Sequence, residues 1–353
     1  MDTTPSVFTS IDDVGPEWDE LMTAARAPVF YRRPFLRAFE HYPLHPVLRT
    51  AYILVRDGHG VLQSAQPAFL QRDVDPMQVI HNHYPQALPH TSLLTHVWHC
   101  YDTVLPVRPG SEAITPAAVD ALRATAADWG ARLYGLANVD AATPLAGALS
   151  AAGLEAVDIE IGWSLDLRAV DSFETYLATL RSKPRRNLLH DLRNAERAGL
   201  DVRVAGADDA DLDGFVALAR ATAAKYDNAD YYKPGLFQDF ARALGDDMCA
   251  VELRIGGRLI GSSLALVDDT RFHWWACGVD YAACPNFSPF YVSFGQVLRA
   301  AYASGRPHLE VGRRNPIFKR RYNLTPRTLR AYFGDVAASG GAGGVQPDRL
   351  PTT

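Results

Sequence analysis

The sequence predicts an α/β protein of two domains in tandem, each a mixed, largely antiparallel sheet flanked by helices. Three observations carry that prediction. At 353 residues, 48% hydrophobic and 21% charged, the chain has room for two ordinary domains with ample core. Helical and strand periodicities alternate along it instead of segregating. The element order of the first half, helices, an antiparallel hairpin, then strand, helix and strand, also recurs in the second.

In chain order, 17–25 and 33–41 read as short helices, the first with Trp18, Leu21 and Met22 at helical spacing. Strands at 50–55 and 61–70 are joined across Asp57-Gly58-His59-Gly60, a hairpin signal. The stretch 74–99 shows little periodicity but contains His81, His83, His90, His96 and His99. Their spacing matches no standard ligand set, so ordinary loop and strand histidines are expected and no metal is assigned. A helix at 115–131, a strand at 133–139, a helix at 144–152 stopped by Gly153 and a long strand at 155–167 complete the first half.

The second half reads as helices at 173–180 and 184–198, a strand at 201–204, and helices at 211–226 and 234–244. A hairpin follows, 248–255 with 259–267, over Gly256-Gly257, a turn that requires positive φ. Next come a strand at 271–278 and a helix at 288–304, capped by Ser288, opened by Pro289 and closed by Gly305. Strands at 308–311 and 328–333 finish the sheet. The division expected is 1–165 and 166–336, with the Gly-, Ala- and Pro-rich tail 337–353 disordered.

The net charge of −5 excludes a generally basic nucleic-acid coat, but its distribution is uneven. Residues 181–197 and 313–330 hold 13 of the 35 basic residues and only two of the 40 acids, leaving 22 bases against 38 acids elsewhere. Concentrated positive charge suits a local anionic ligand. The run from Arg313 to Arg330 carries no acid and is interrupted by Ile317, Phe318 and Tyr322, as expected of a segment that holds an anion or a developing negative charge beside a strand end. In the helix after Pro184, Arg186, His190, Arg193 and Arg197 share one face, which suits either an anionic partner or a solvated basic surface. Arg181, Lys183, Arg185 and Arg186, at that helix's start, are the stronger candidate binders, because backbone N–H donors lie beside them.

The helix at Ser288-Pro289 begins with free N–H groups that could receive a phosphate or a carbonyl, although the same turn also serves simple packing. In the strand FHWWACG, core packing explains most of the alternation, and Trp275 is kept as a candidate ligand contact. No Cys–His signature supports Cys277 as a nucleophile. The four cysteines form no C-x-x-C pair, the first ten residues lack the pattern of a signal peptide, and no apolar run approaches bilayer length. A reduced, cytoplasmic protein is expected.

Asp280, Ser288-Pro289, the helix closed by Gly305, the strand HLEVG and the run Asn315-Pro316-Ile317-Phe318-Lys319 form a familiar order. With SKPRRNLLHDLRNAERAGLDV, GRLIGSSLALVDD, and the earlier Trp18, Phe35-Leu36, Phe39-Glu40 and Pro67–Leu70, the chain resembles the Fem-type aminoacyltransferases within the GNAT N-acyltransferase superfamily, from about Trp18 to Phe333. The resemblance implies two tandem GNAT-like domains, the second catalytic. It also implies transfer of an amino acid from aminoacyl-tRNA to an amine, or acylation of small molecules in natural-product pathways, with no resident cofactor. Lys319, following Phe318, would stabilise the negative charge that develops on the ester.

Two departures bear on substrates. GNAT enzymes that use CoA carry R/Q-x-x-G-x-G/A before the helix, whereas this chain reads DYAACPNFSPFYVSFG. No coiled-coil insert is visible either, which disfavours lipid-linked peptidoglycan precursors and a membrane partner. The expected activity is therefore N-acyl transfer to a small-metabolite amine, with the 3′ end of aminoacyl-tRNA favoured as donor. An acyl-CoA enzyme with a non-standard cradle and a catalytically silent binding module are the alternatives. Glu310 is the candidate general base or amine-positioning acid, pairing with Arg313 being its structural alternative. Tyr291 or Asp280 could move a proton, or simply pack and cap. Arg313, Arg320, Arg185 and Arg186 are candidate phosphate contacts, and Trp275 and Phe318 candidate walls.

Overall fold

The structure, a computed structural model, describes residues 3–73, 79–95, 100–226 and 228–337. Its strands are β1 (Thr3–Phe8), β2 (Arg49–Asp57), β3 (Leu62–Gln71), β4 (Ser92–Thr95), β5 (Leu133–Asp140), β6 (Glu155–Asp166), β7 (Leu200–Gly206), β8 (Met248–Ile255), β9 (Arg258–Val267), β10 (Arg271–Val279), β11 (His308–Glu310) and β12 (Thr325–Asp335). The first-half helices are α1 (Glu17–Ala24), α2 (Arg33–His41), α3 (Val79–His83), α4 (Thr115–Asp128) and α5 (Pro144–Ala151). The second half adds α6 (Phe173–Thr179), α7 (Ser182–Arg197), α8 (Leu212–Ala223), α9 (Leu236–Ala243), α10 (Pro289–Ala303) and α11 (Pro316–Arg321).

Both halves share one sheet, ordered β1-β2-β3-β4-β5-β12-β6-β11-β10-β9-β8-β7. Its pairings are antiparallel except β4 with β5 and β10 with β11. The mixed α/β architecture of two similar halves is thus as expected. The C-terminal strand, however, does not finish the second half. β12 lies between β5 and β6, antiparallel to both. The expected division at 165/166 falls at the end of β6, inside this continuous sheet.

The core crosses the midline as well. α1, α2 and the turn between them bring Trp18, Phe30, Phe35 and Phe39 into one apolar cluster with Phe215, Phe237, Phe240 and Trp275 of the second half. Phe35 meets Phe240 edge-on at 5.5 Å between ring centroids. Separate clusters lie under α4 and α5 and under α6, α7 and α10. Four elements escape the sequence reading: α3 and β4, in the stretch 74–99 that shows little periodicity, and β1 and α11. β1 is an edge strand with Pro5 in it, and α11 is a short helix inside the basic run that reads as loop. Asn315 (φ 51°) opens α11 and Asn323 (φ 53°) follows it, left-handed positions that asparagine tolerates better than most residues. No helix among the described residues is long and apolar enough to cross a membrane. No group of three or more potential metal ligands occurs among them either, and His96 and His99 lie outside them.

Candidate functional site

The site begins where two strands part. β10 and β11 pair in parallel only over Arg271–His273 and His308–Glu310. Beyond His273 the register of β10 against β9 shifts between Trp274 and Ala276, so Trp275 is the extra residue of a bulge. With no strand alongside, the carbonyls of Trp274 and Trp275 need another donor. The Tyr101 hydroxyl from the first half supplies it, donating to both at 2.8 and 2.7 Å. Gly312 (φ 68°) leaves room for that tyrosine, since a Cβ there would sit 3.0 Å from the Tyr101 ring.

A cavity of ≈ 580 Å³ opens in this gap. Trp274–Cys277 form one wall and Val311–Asn315 with Phe318 and Lys319 another, while the end of α8 and the segment 228–232 close over it. Of the residues singled out from the sequence, Lys319, Phe318, Arg313 and Trp275 meet here. Trp275 stacks on Phe237 at 5.6 Å, and Phe318 stacks on Tyr291 at 5.8 Å.

Lys319 is only 4% exposed. Its ammonium donates to the Arg313 carbonyl, and no described carboxylate forms an ion pair with it. Burial drives its pKa down to about 7; Glu160 opposes the shift, Arg313 adds to it, and Glu310 opposes it again. A buried lysine in a cavity wall whose pKa is lowered this far is a candidate for chemistry.

The other candidates lie elsewhere. Glu310 is buried next to the cavity, but its carboxylate is 2.6 Å from Arg327 Nη2, so Arg327 and not Arg313 is its partner. Burial raises its pKa, the Arg327 charge pulls the other way, and Asp102 raises it further. Asp102, also buried, lies 3.5 Å from Arg327 Nη1 and 3.6 Å from Arg271 Nη2. Asp280 accepts from Ala282 N and Ala283 N and pairs with Arg258 at 2.6 Å, which places it in a turn outside the cavity. The Tyr291 hydroxyl accepts from Arg321 at 3.4 Å.

The N-terminus of α10 is partly satisfied. Ser288 N donates to Asp191 Oδ1 at 3.1 Å, Tyr291 N donates to the Ser288 hydroxyl, and Pro289 has no N–H. Two of the donors expected there are therefore spent on a carboxylate and a cap, while Phe290 of the same turn lines the cavity. Arg181, Lys183, Arg185 and Arg186 lie outside the cavity, at the start of α7. There Asn323 Nδ2 donates to Thr179 O at 3.0 Å and the Tyr176 hydroxyl to Tyr322 O at 2.7 Å. The Arg320 guanidinium sits 6.0 Å over the Trp163 ring. Sequence reasoning missed Tyr101, Asn228, Tyr231 and Tyr232. The available signal was the tyrosine pair in the polar segment NADYYKPG.

Comparison with known proteins agrees with this geometry. Residues 182–320 match the family described as "Acetyltransferase (GNAT) domain". FemX is 10% identical with a TM-score of 0.63, over 94% of this chain and 97% of that one. The C-terminal domain of a putative lysylphosphatidylglycerol synthetase from Agrobacterium fabrum is 14% identical, TM-score 0.57, over 91% and 94%. A tandem GNAT protein from the clavulanic acid biosynthesis pathway is 15% identical, TM-score 0.53, over 95% and 99%. No curated protein matches the sequence. Residues 182–320 thus match the GNAT domain family, and the chain as a whole shares its fold with the tandem GNAT protein and with FemX.

Proposed function

We propose that this GNAT-fold acyltransferase moves an activated aminoacyl group from the 3′ end of aminoacyl-tRNA onto the amine of a small metabolite. The carrying observation is Lys319, a buried ammonium in a cavity wall, unpaired with any described carboxylate. As a neutral amine attacks the ester carbonyl, the C–N bond forms and the carbonyl oxygen takes up negative charge. A fixed cation stabilises that oxygen more than the ground-state carbonyl. Collapse breaks the C–O bond, and the ribose oxygen leaves with the proton lost by the amine.

Two features favour tRNA over CoA as donor. The residues before α10, DYAACPNFS, lack the glycines of a pyrophosphate cradle, and the Ser288 N–H is taken by Asp191. The basic runs at the start of α7 and in α11 would supply contacts for a phosphate backbone, Arg185, Arg186 and Arg320 among them. The GNAT match itself favours acyl-CoA as the second reading.

Transfer should be assayed with charged tRNA and with acyl-CoA pools against mixed amines, read by mass spectrometry. Ribonuclease should abolish product, and Lys319→Ala should lower turnover by about 10²–10³-fold with KM little changed. Ribonuclease-resistant transfer would establish the CoA reading instead. Equal loss of binding and turnover in Lys319→Ala, with no product from any donor, would leave a binding module.

A further inference from the structure

The two ends of the sheet are built differently. β1, at one end, has Pro5 in its middle, a residue that cannot donate to a further strand. β7, at the other, contains no proline, and its ladder with β8 runs unbroken from Leu200 to Gly206. Its outer edge therefore offers a row of backbone N–H and C=O groups with no strand beyond them among the described residues. Val202 and Val204 are 37% and 58% exposed, and no other strand face among the described residues exposes two large apolar side chains. They lie opposite Leu253 and Val251, so with Leu200 they carry the apolar layer beneath α7 and α10 out past its covering helices.

The opposite face of β7 carries Asp201 and Arg203, both exposed. Their neighbours on β8 have the complementary signs, Arg254 opposite Asp201 and Glu252 opposite Arg203. Those two are engaged with each other at 3.2 Å, and Arg254 also with Asp211 at 2.7 Å. Asp201 and Arg203 form no ion pair among the described residues. From Leu200 to Val204 the strand thus runs apolar, acid, apolar, base, apolar, a pattern complementary to its own reverse.

We propose that a second copy of this chain pairs antiparallel with β7 about a two-fold axis through Val202, so that the sheet runs from one copy into the other. In antiparallel pairing directly opposed residues share a face, so such an axis must pass through a residue. Centred on Val202, it sets Asp201 against Arg203 of the second copy and Leu200 against Val204, twice each. Centred on Asp201 or Arg203, it opposes identical charges; centred on Val204, it leaves both charges without a partner. Opposite charges directly across strands stabilise pairing and like charges weaken it, so the pattern selects one register. β8 and β9 lie between this edge and β10, which keeps the cavity clear of the junction. One strand pair is a small interface, so the dimer forms reversibly at micromolar concentrations or above.

Sedimentation equilibrium of the full chain from about 1 to 500 μM should show monomer passing into dimer and no larger species, because the axis uses the β7 edge of each copy. Arg203→Asp and Asp201→Arg should each weaken association about ten-fold or more, and the double reversal should restore it to within about three-fold. Val204→Lys, at a position 58% exposed, should weaken it with the unfolding midpoint unchanged. Cross-linking fixes the register even where a reversal perturbs the fold. With copper phenanthroline as oxidant and the parent chain as control, Val202→Cys should give a disulfide-linked dimer, since opposed Cα atoms lie about 4.5–5.5 Å apart. Val204→Cys, whose two copies would lie more than about 13 Å apart, should not. A chain that stays monomeric throughout that range would overturn the proposal and leave β7 to another protein or to none. So would a dimer that neither reversal weakens, one that cross-links equally at both positions, or one that the double reversal fails to restore in a chain of unchanged unfolding midpoint.

Discussion

Lys319 offers the sharpest readout of the site. In the unfolded chain a lysine holds its proton up to about pH 10.4; in this fold it does so only up to about 7. Between those values the unfolded state binds more protons, so stability rises with pH across that window, and the cost of the buried charge is felt in full below pH 7. Lys319→Met should therefore stabilise the protein below pH 7, by on the order of 5 kcal/mol at most, and the gain should shrink towards zero near pH 10.5. Denaturant unfolding of both proteins at pH 6, 8 and 10 measures this; a difference independent of pH would show that the lysine is not buried as a strained cation. The rate profile assigns its role. If the ammonium stabilises an oxyanion, kcat/KM falls above pH 7 as that charge is lost, whereas a lysine acting as base gives a rate that rises through 7. Tyr101 is a positioning residue from the other half. Removing its hydroxyl by Tyr101→Phe leaves two bulge carbonyls without their donor, a loss of about 1–3 kcal/mol seen in chemical denaturation. No motif in the sequence points to Tyr101, because its bonds span 173 and 174 residues and leave no local pattern.

Among the elements, legibility followed locality. The β8–β9 hairpin matches its expected limits closely, since Gly256 (φ 56°) and Gly257 (φ 81°) adopt the turn that their adjacency announces. The helix at α10 was equally legible from Ser288, Pro289 and Gly305. What α10's first turn binds was not, because Asp191 reaches it from 97 residues away. Position 319 and its neighbours stood out by charge, yet the helical turn that buries Phe318 and Lys319 while exposing Arg320 was hidden by the proline and asparagine around it. Arg327, read only as part of a basic run, is in fact half-buried in β12 and joins Glu310 of β11 to Asp102 of the first half. Its replacement leaves two buried acids without that cation. Arg327→Met should cost about 3–5 kcal/mol, and its midpoint should recover partly at acidic pH, where Glu310, whose pKa is already raised, takes up a proton. A loss below 1 kcal/mol in equilibrium unfolding would show that water screens the cluster.

At the scale of the whole molecule, tandem halves invite the view that each folds alone, and the recurring order of elements encourages it. The sheet argues otherwise. β12 pairs with β5 from Leu329 to Asp335 and with β6 from Thr325 to Phe333, so the last strand made closes the sheet's middle. Without it, β5 and β6 would face each other across an unfilled gap, two long edges with no partner. The aromatic cluster shared by α1, α2, α8 and α9 adds a second tie, and Arg32 a third through its 2.8 and 2.9 Å pairs with Asp247 and Asp269. Periodicity could not reveal any of these ties, since each joins segments far apart in the chain. The two halves should therefore unfold together, giving one calorimetric transition whose van't Hoff and calorimetric enthalpies agree. Truncation after Leu324 should abolish that transition in both halves, not only in the second. Two resolved transitions in the full chain, or a truncated chain that keeps one of them, would mean that the halves are independent. In that case the cavity could not depend on Tyr101, Asn138 and Glu160 for its shape, because all three come from the first half.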